Sequence, residues 1–164
     1  MILIVDAFNL IYKFPDLEEE MYAGRLDKAR IGLLQYLIDY KNAWKKPVEI
    51  HVFIDGKKKH GDETRRETNS KMEIYYSQDL SADHLIKEFI KRNPNPGNLT
   101  LISSDKDIQF YAKRFKTTIL TSEEFSKHLI DILNSADKKP SQTEKPAADP
   151  DEVSYWMKMF QKKK

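Results

Sequence analysis

Ile2-Leu3-Ile4-Val5-Asp6-Ala7-Phe8-Asn9 opens with four consecutive apolar residues and closes that run on an acid. An unbroken, β-branched-rich run suits a strand buried on both faces, as in parallel sheets. The pattern recurs downstream. Val48–Ile54 reads as the next strand and ends in Asp55-Gly56. Met72–Tyr76 reads as a third strand. Leu99–Ile102 reads as a fourth, followed by Ser103-Ser104-Asp105, and Thr117–Leu120 as a short fifth. Helical patterns fill the intervals. Leu26, Ala29, Leu33, Leu37, Tyr40 and Trp44 recur at helical spacing and predict a helix from about Asp27 to Trp44. Ser81 can cap a helix to Arg92, with Leu85, Ile86, Phe89 and Ile90 facing inward, and Asn93-Pro94-Asn95-Pro96-Gly97 breaks it. A helix to about Arg114 follows Asp105. Thr121 with Glu124 reads as the capping box of a last helix through Leu133. Strand–helix alternation predicts an α/β fold: a mainly parallel central sheet of about five strands with helices on both faces.

The chain has 164 residues, and a ~150-residue domain hides roughly 70% of its unfolded surface, so one sizeable core is expected. With 28 basic against 26 acidic side chains, it is neither a histone-like protein nor an acidic disordered chain. The absence of Cys removes disulfides, thiolate zinc sites and cysteine nucleophiles. No apolar run approaches the ~20 residues of a membrane span, and Asp6 interrupts the N-terminal run, so neither a membrane partner nor a signal peptide is expected. These features predict a cytoplasmic protein. Residues 1–134 read as the domain, residues 135–150, with three prolines, as a flexible linker, and residues 151–164 as a short helix with a basic end. Val153, Trp156, Met157 and Phe160 form that helix's apolar face. It offers a contact for the chain's own core, a second protomer in a homodimer, another protein or the ribosome.

The acids carry the chemical information. Asp6, Asp55 and Asp105 follow the first, second and fourth predicted strands, Asp83 opens the helix after the third, and Asp107 lies two residues beyond Asp105. In an open parallel sheet the carboxyl ends of the strands share one edge, where ligands bind. Two carboxylates ~6 Å apart at an effective dielectric of ~20 repel by roughly 3 kcal/mol. Oxygen ligands from separate strands suit a hard cation, Mg²⁺ or Mn²⁺, and such a site supports attack of metal-activated water on a phosphodiester. Against this stands a simpler use: an Asp after a strand often only caps a helix or closes a turn. No GxxxxGK[ST] or GxGxxG phosphate loop is present.

The segments Ile4-Val5-Asp6-Ala7-Phe8-Asn9, Phe53-Ile54-Asp55-Gly56, Ser81-Ala82-Asp83-His84-Leu85-Ile86 and Ser103-Ser104-Asp105-Lys106-Asp107 resemble, in order, the NYN domain. They are most similar to its YacP-like branch within the PIN-like nuclease superfamily. The resemblance covers residues 1–134 and implies a PIN-like three-layer α/β/α fold and a divalent-metal-dependent endoribonuclease, usually bacterial. It further implies Asp6, Asp83 and Asp105 as principal metal carboxylates, Asp55 and Asp107 as supporting ones, and Asn9 as a polar group fixing the rim or the substrate. Ala7 stands where the family often has Gly.

Residues 57–71 form a polar loop with six basic and three acidic side chains. Lys57, Lys58, Lys59, Arg65, Arg66 and Lys71 are candidate RNA-phosphate contacts beside Asp55; a merely solvated loop is the simpler use. Tyr12 and Phe14 are candidates for base stacking, and Tyr111 reads as core. The four histidines show no metal-ligand spacing, and His51 reads as structural. Ser103 and Ser104 read as turn or metal-shell hydroxyls. The function expected is cleavage of RNA; the alternative is a non-catalytic RNA-binding or ribosome-associated module with the same acidic rim.

Overall fold

Ile2–Asp6 forms strand β1, and Leu3, Ile4 and Val5 expose no surface in the computed structural model. The structure describes residues 1–56, 66–69 and 72–137. Helices α1 (Ala7–Ile11), α2 (Pro15–Tyr22) and α3 (Leu26–Ala43) precede β2 (Glu49–Ile54). Strands β3 (Arg66–Asn69) and β4 (Met72–Tyr76) follow, then α4 (Ala82–Arg92), a 3-10 turn at Pro96–Asn98, β5 (Leu99–Ile102), α5 (Lys106–Lys113), β6 (Thr118–Leu120) and α6 (Ser122–Asp137).

The sheet order is β3-β4-β2-β1-β5-β6. Every pairing is parallel except β3 on β4, so β1 lies centrally, with Ile4 beside His51 on one side and Leu101 on the other. Because alternate strand residues face opposite ways, β1 feeds two cores. Leu3 and Val5 pack with Leu33, Leu37, Tyr40, Phe125 and Leu129. Ile4 packs with Phe53, Ile86, Ile90, Ile108 and Ala112. The result is the expected α/β/α three-layer arrangement. Among the described residues, no helix is long and apolar enough to cross a membrane.

Details of the structure differ from the sequence reading. The stretch 57–71 is not loop throughout, because Arg66–Asn69 pairs its backbone antiparallel to β4 at the sheet edge. The stripe of α3 starts at Ala29; Leu26, at the first helical position, is 52% exposed. Phe14 is buried and stacks on Tyr36, with ring centroids 4.4 Å apart, so it is core rather than a base platform. Helix α6 continues to Asp137 rather than ending at Leu133, with no Pro or Gly between Ser122 and Asp137 to stop it.

Helix α2 was not anticipated, yet Pro15 stands at its first turn, where a missing N–H costs nothing. It packs so close to α3 that a Cβ on Gly32 would stand 2.5 Å from Leu17 Cδ2. Helix α6 is pinned to α3 by the buried pair Tyr40 Oη and His128 Nε2, 2.9 Å apart. Burial lowers the His128 imidazole to about 3 and raises the Tyr40 phenol.

The capping box forms as expected: Glu124 N donates to Thr121 Oγ1 at 3.0 Å and Thr121 N donates to Glu124 Oε1 at 2.9 Å. Thr121→Ala is therefore expected to lower stability by about 1 kcal/mol, read as a lower urea midpoint at constant m. An unchanged midpoint would mean that the cap contributes nothing to folding.

Candidate active site at the carboxyl edge of the sheet

Because β1 lies between β2 and β5, their carboxyl ends are neighbours, and α4 starts beside them. A cleft of about 450 Å³ opens there, lined by Asp6, Asn9, Asp55, Asp83, Ser104 and Asp105 among others. Four of the five predicted acids thus meet in one cleft.

Each acid is held differently. Asp6 makes no capping bond to α1, although it occupies the N-cap position. Its Oδ2 instead accepts from Ser103 Oγ at 2.8 Å. Burial raises the Asp6 carboxyl to about 6; the Ser103 bond opposes this, and the charges of Asp105, Asp83 and Asp55 add to it. Asp105 does cap α5, since its Oδ1 accepts from Asp107 N at 2.9 Å and Ile108 N at 3.2 Å. Asp55 Oδ1 accepts from Ser77 Oγ at 3.2 Å and from Ala82 N at 3.1 Å, tying the end of β2 to the first turn of α4. Ser81 Oγ caps the same helix by accepting from His84 N at 3.0 Å. These bonds set the position of Asp83, whose Oδ1 is buried and lies 3.4 Å from Lys87 Nζ, an ion-pair distance.

Asp107 is placed apart from the cleft. Its side chain is 70% exposed and pairs with Lys87 Nζ at 2.7 Å. Asp107 first, and Asp83 after it, hold the Lys87 ammonium above its ordinary range. One lysine on α4 therefore links an acid in the cleft to one outside it.

Asn9 spans three elements. Its Oδ1 accepts from Ser104 N at 2.8 Å and from Ser122 Oγ at 2.6 Å, joining α1, the turn after β5 and the start of α6. Ser104 Oγ donates to Glu123 Oε1 at 2.7 Å, and Glu123 Oε2 pairs with Lys13 Nζ at 2.9 Å. The Lys13 and Ser104 bonds hold the Glu123 carboxyl down at about 2. Lys13, Ser77, Glu123 and Ser122 were not singled out from sequence. Their partners lie far away along the chain, so no local spacing marks them.

The donor set fits a hard divalent cation in its chemistry: carboxylates, an amide and hydroxyls line the cleft, without imidazole or sulfur. The buried Asp6 carboxyl, raised in part by three neighbouring carboxylates, is a group whose charge a cation would favour. Among the described residues, no three His, Cys, Asp or Glu side chains already converge closely enough to hold an ion.

Lys57, Lys58, Lys59, Arg65 and Lys71 lie outside the described residues, as do Val153, Trp156, Met157 and Phe160; Arg66 is described only as part of β3. His51 is structural, bonding Tyr75 Oη at 2.9 Å and Glu49 Oε2 at 2.5 Å. Tyr111 is half-buried, beneath Lys87 and Arg114.

Comparison with known proteins agrees with this architecture. The family model of the YacP-like NYN domain matches residues 3–162, and so runs through the tail as well as the α/β core. Two crystal structures of Rae1 (YacP) from Bacillus subtilis are similar. A Trp-to-Leu mutant of it is 21% identical with a TM-score of 0.65, the match covering 99% of this chain and 94% of that one. The other is 20% identical with a TM-score of 0.66, covering 84% of this chain and 78% of that one. No curated protein matches the sequence.

Proposed function

Because the chain belongs to the YacP-like NYN family, an RNA-related group of PIN-like nucleases, we propose that it is a divalent-metal-dependent endoribonuclease. The observation that carries this reading is the cleft in which Asp6 is buried beside Asp55, Asp83 and Asp105. Asp6, Asp83 and Asp105 would hold Mg²⁺ or Mn²⁺. A bound ion of this kind supplies an activated water and neutralises charge on the phosphoryl oxygens.

The remaining roles belong to the chain's own side chains. Ser103 orients the Asp6 carboxylate by donating to Oδ2. Asp55 supports the site by fixing the turn that presents Asp83. Asp107 supports it through Lys87, drawing the ammonium away from Asp83, to which it stands 3.4 Å against 2.7 Å for Asp107. Asn9 locks the Ser104 turn, and with it Asp105, against α1 and α6. Lys57, Lys58, Lys59, Arg65, Arg66 and Lys71 would hold the RNA backbone in the cytoplasm, where such a substrate is available.

Labelled single-stranded and hairpin RNAs, incubated with the full chain in MnCl2, MgCl2 or EDTA, test the reading. Cutting is expected only with metal. The new ends should carry no 2′,3′-cyclic phosphate, because water rather than the neighbouring 2′-OH attacks. Absence of cutting in both metals, persistence of cutting in EDTA, or cyclic ends would overturn it.

A further inference from the structure

The turn after α1 is built to face the cleft. Lys13 N donates to Leu10 O at 2.9 Å and Phe14 N to Ile11 O at 3.3 Å. Leu10, Ile11 and Phe14 are buried, and the Phe14–Tyr36 stack pins the far side of the turn. Tyr12 and Lys13 between them are directed outward, and both line the cleft. Tyr12 is 40% exposed. Its one described ring contact is Tyr22, tilted at 6.3 Å and itself 77% exposed.

Lys13 is the one basic side chain among the described residues of a cleft that four carboxylates line. A phosphate entering that cleft is repelled by each of these carboxylates, so a cation on the wall matters. Glu123 takes only one of the three ammonium donors of Lys13 and is anchored in turn by Ser104. This tether keeps the ammonium on the wall instead of among the Asp6 and Asp105 carboxylates. A held cation beside an exposed aromatic ring is the combination by which proteins grip single-stranded nucleic acid.

We propose that Tyr12 and Lys13 form a nucleotide-binding ledge for single-stranded RNA, with Lys13 taking a backbone phosphate and Tyr12 stacking on the adjoining base. The location rests on the nuclease reading, and binding is tested separately from cleavage.

The probe is a fluorescein-labelled twelve-nucleotide single-stranded RNA, followed by anisotropy with the full chain in EDTA over a range of salt. Lys13→Ala should weaken binding about tenfold and reduce the log–log salt slope by about 0.7, the loss of one single-strand phosphate contact. Tyr12→Ala should weaken binding about tenfold, while Tyr12→Phe, which keeps the ring, should bind as wild type. Glu123→Gln frees the ammonium and should bind at least as tightly as wild type. A purely structural pair would instead make Glu123→Gln as weak as Lys13→Ala. That parallel loss, an unchanged slope in Lys13→Ala, or no RNA binding by the wild type would overturn the ledge. If the expected signatures appear but Mn²⁺ supports no cutting, the nuclease reading fails and the ledge stands. If metal-dependent cutting occurs without them, the ledge alone falls.

Discussion

Replacing Asp105 with Asn is expected to lower the rate of metal-dependent RNA cleavage on the order of 10³-fold, about 4 kcal/mol of transition-state stabilisation. Stability should move by less than about 0.5 kcal/mol, because Asn caps a helix as well as Asp does. The two uses of this side chain are thereby separated. Oδ1 caps α5 through Asp107 N and Ile108 N, and an amide oxygen can accept the same two bonds. What Asn cannot supply is the second anionic oxygen and the full charge that a divalent cation requires. Single-turnover cleavage and urea denaturation, run on the same preparation, check both halves. A variant that cuts at the wild-type rate would mean Asp105 is a cap only. A variant that loses stability in step with activity would mean that its effect is structural.

Asp6→Asn, in contrast, is expected to raise stability. Burial raises the Asp6 carboxyl from 3.8 to about 6 in the folded chain. Between those values the folded state holds a proton that the unfolded state has lost. The stability contributed by protonated Asp6 is therefore complete below about pH 4 and is lost as pH rises through 6. At about 1.4 kcal/mol per unit, the loss approaches 3 kcal/mol. Asn removes the buried charge and can still accept the Ser103 hydroxyl, so the variant is expected to be more stable than wild type at pH 8 in EDTA, by up to about 3 kcal/mol. Near pH 4 the two should nearly coincide. The His128 imidazole, lowered to about 3, makes both chains lose stability as pH falls, and taking the difference between them removes that slope. Mn²⁺ should then stabilise wild type at pH 8 and leave the variant unchanged, since binding to the folded state alone is what stabilises. A variant less stable than wild type at pH 8 would mean that the Asp6 charge is structurally required.

The strands were legible because a strand buried on both faces is dominated by apolar residues, as Leu3–Val5 is throughout and Leu99–Ile102 is apart from the buried Thr100. The placing of Asp6, Asp55 and Asp105 at strand ends follows directly, because parallel topology brings those ends to one edge. Strand β3 was hidden, because an edge strand made of Arg66, Glu67, Thr68 and Asn69 pairs through its backbone and carries no apolar alternation. Helix α1 was hidden by its brevity: five residues do not establish a period. Asp107 follows Asp105 in the family motif and lies in the first turn of the helix that Asp105 caps, but its pairing across to Lys87 on α4 could not be read from that spacing. The Asn9–Ser104–Ser122 and Lys13–Glu123 links join residues remote in sequence, and only the packed fold brings them together.

Mn²⁺ binding followed by electron paramagnetic resonance, in which the free-ion signal disappears on binding, reports on the acidic cleft most directly. At pH 7.5 the wild-type chain is expected to remove Mn²⁺ from solution, and the chain carrying Asp6→Asn, Asp83→Asn and Asp105→Asn together is expected to remove none. Equal binding by the two chains would contradict the assignment of these carboxylates as the metal site.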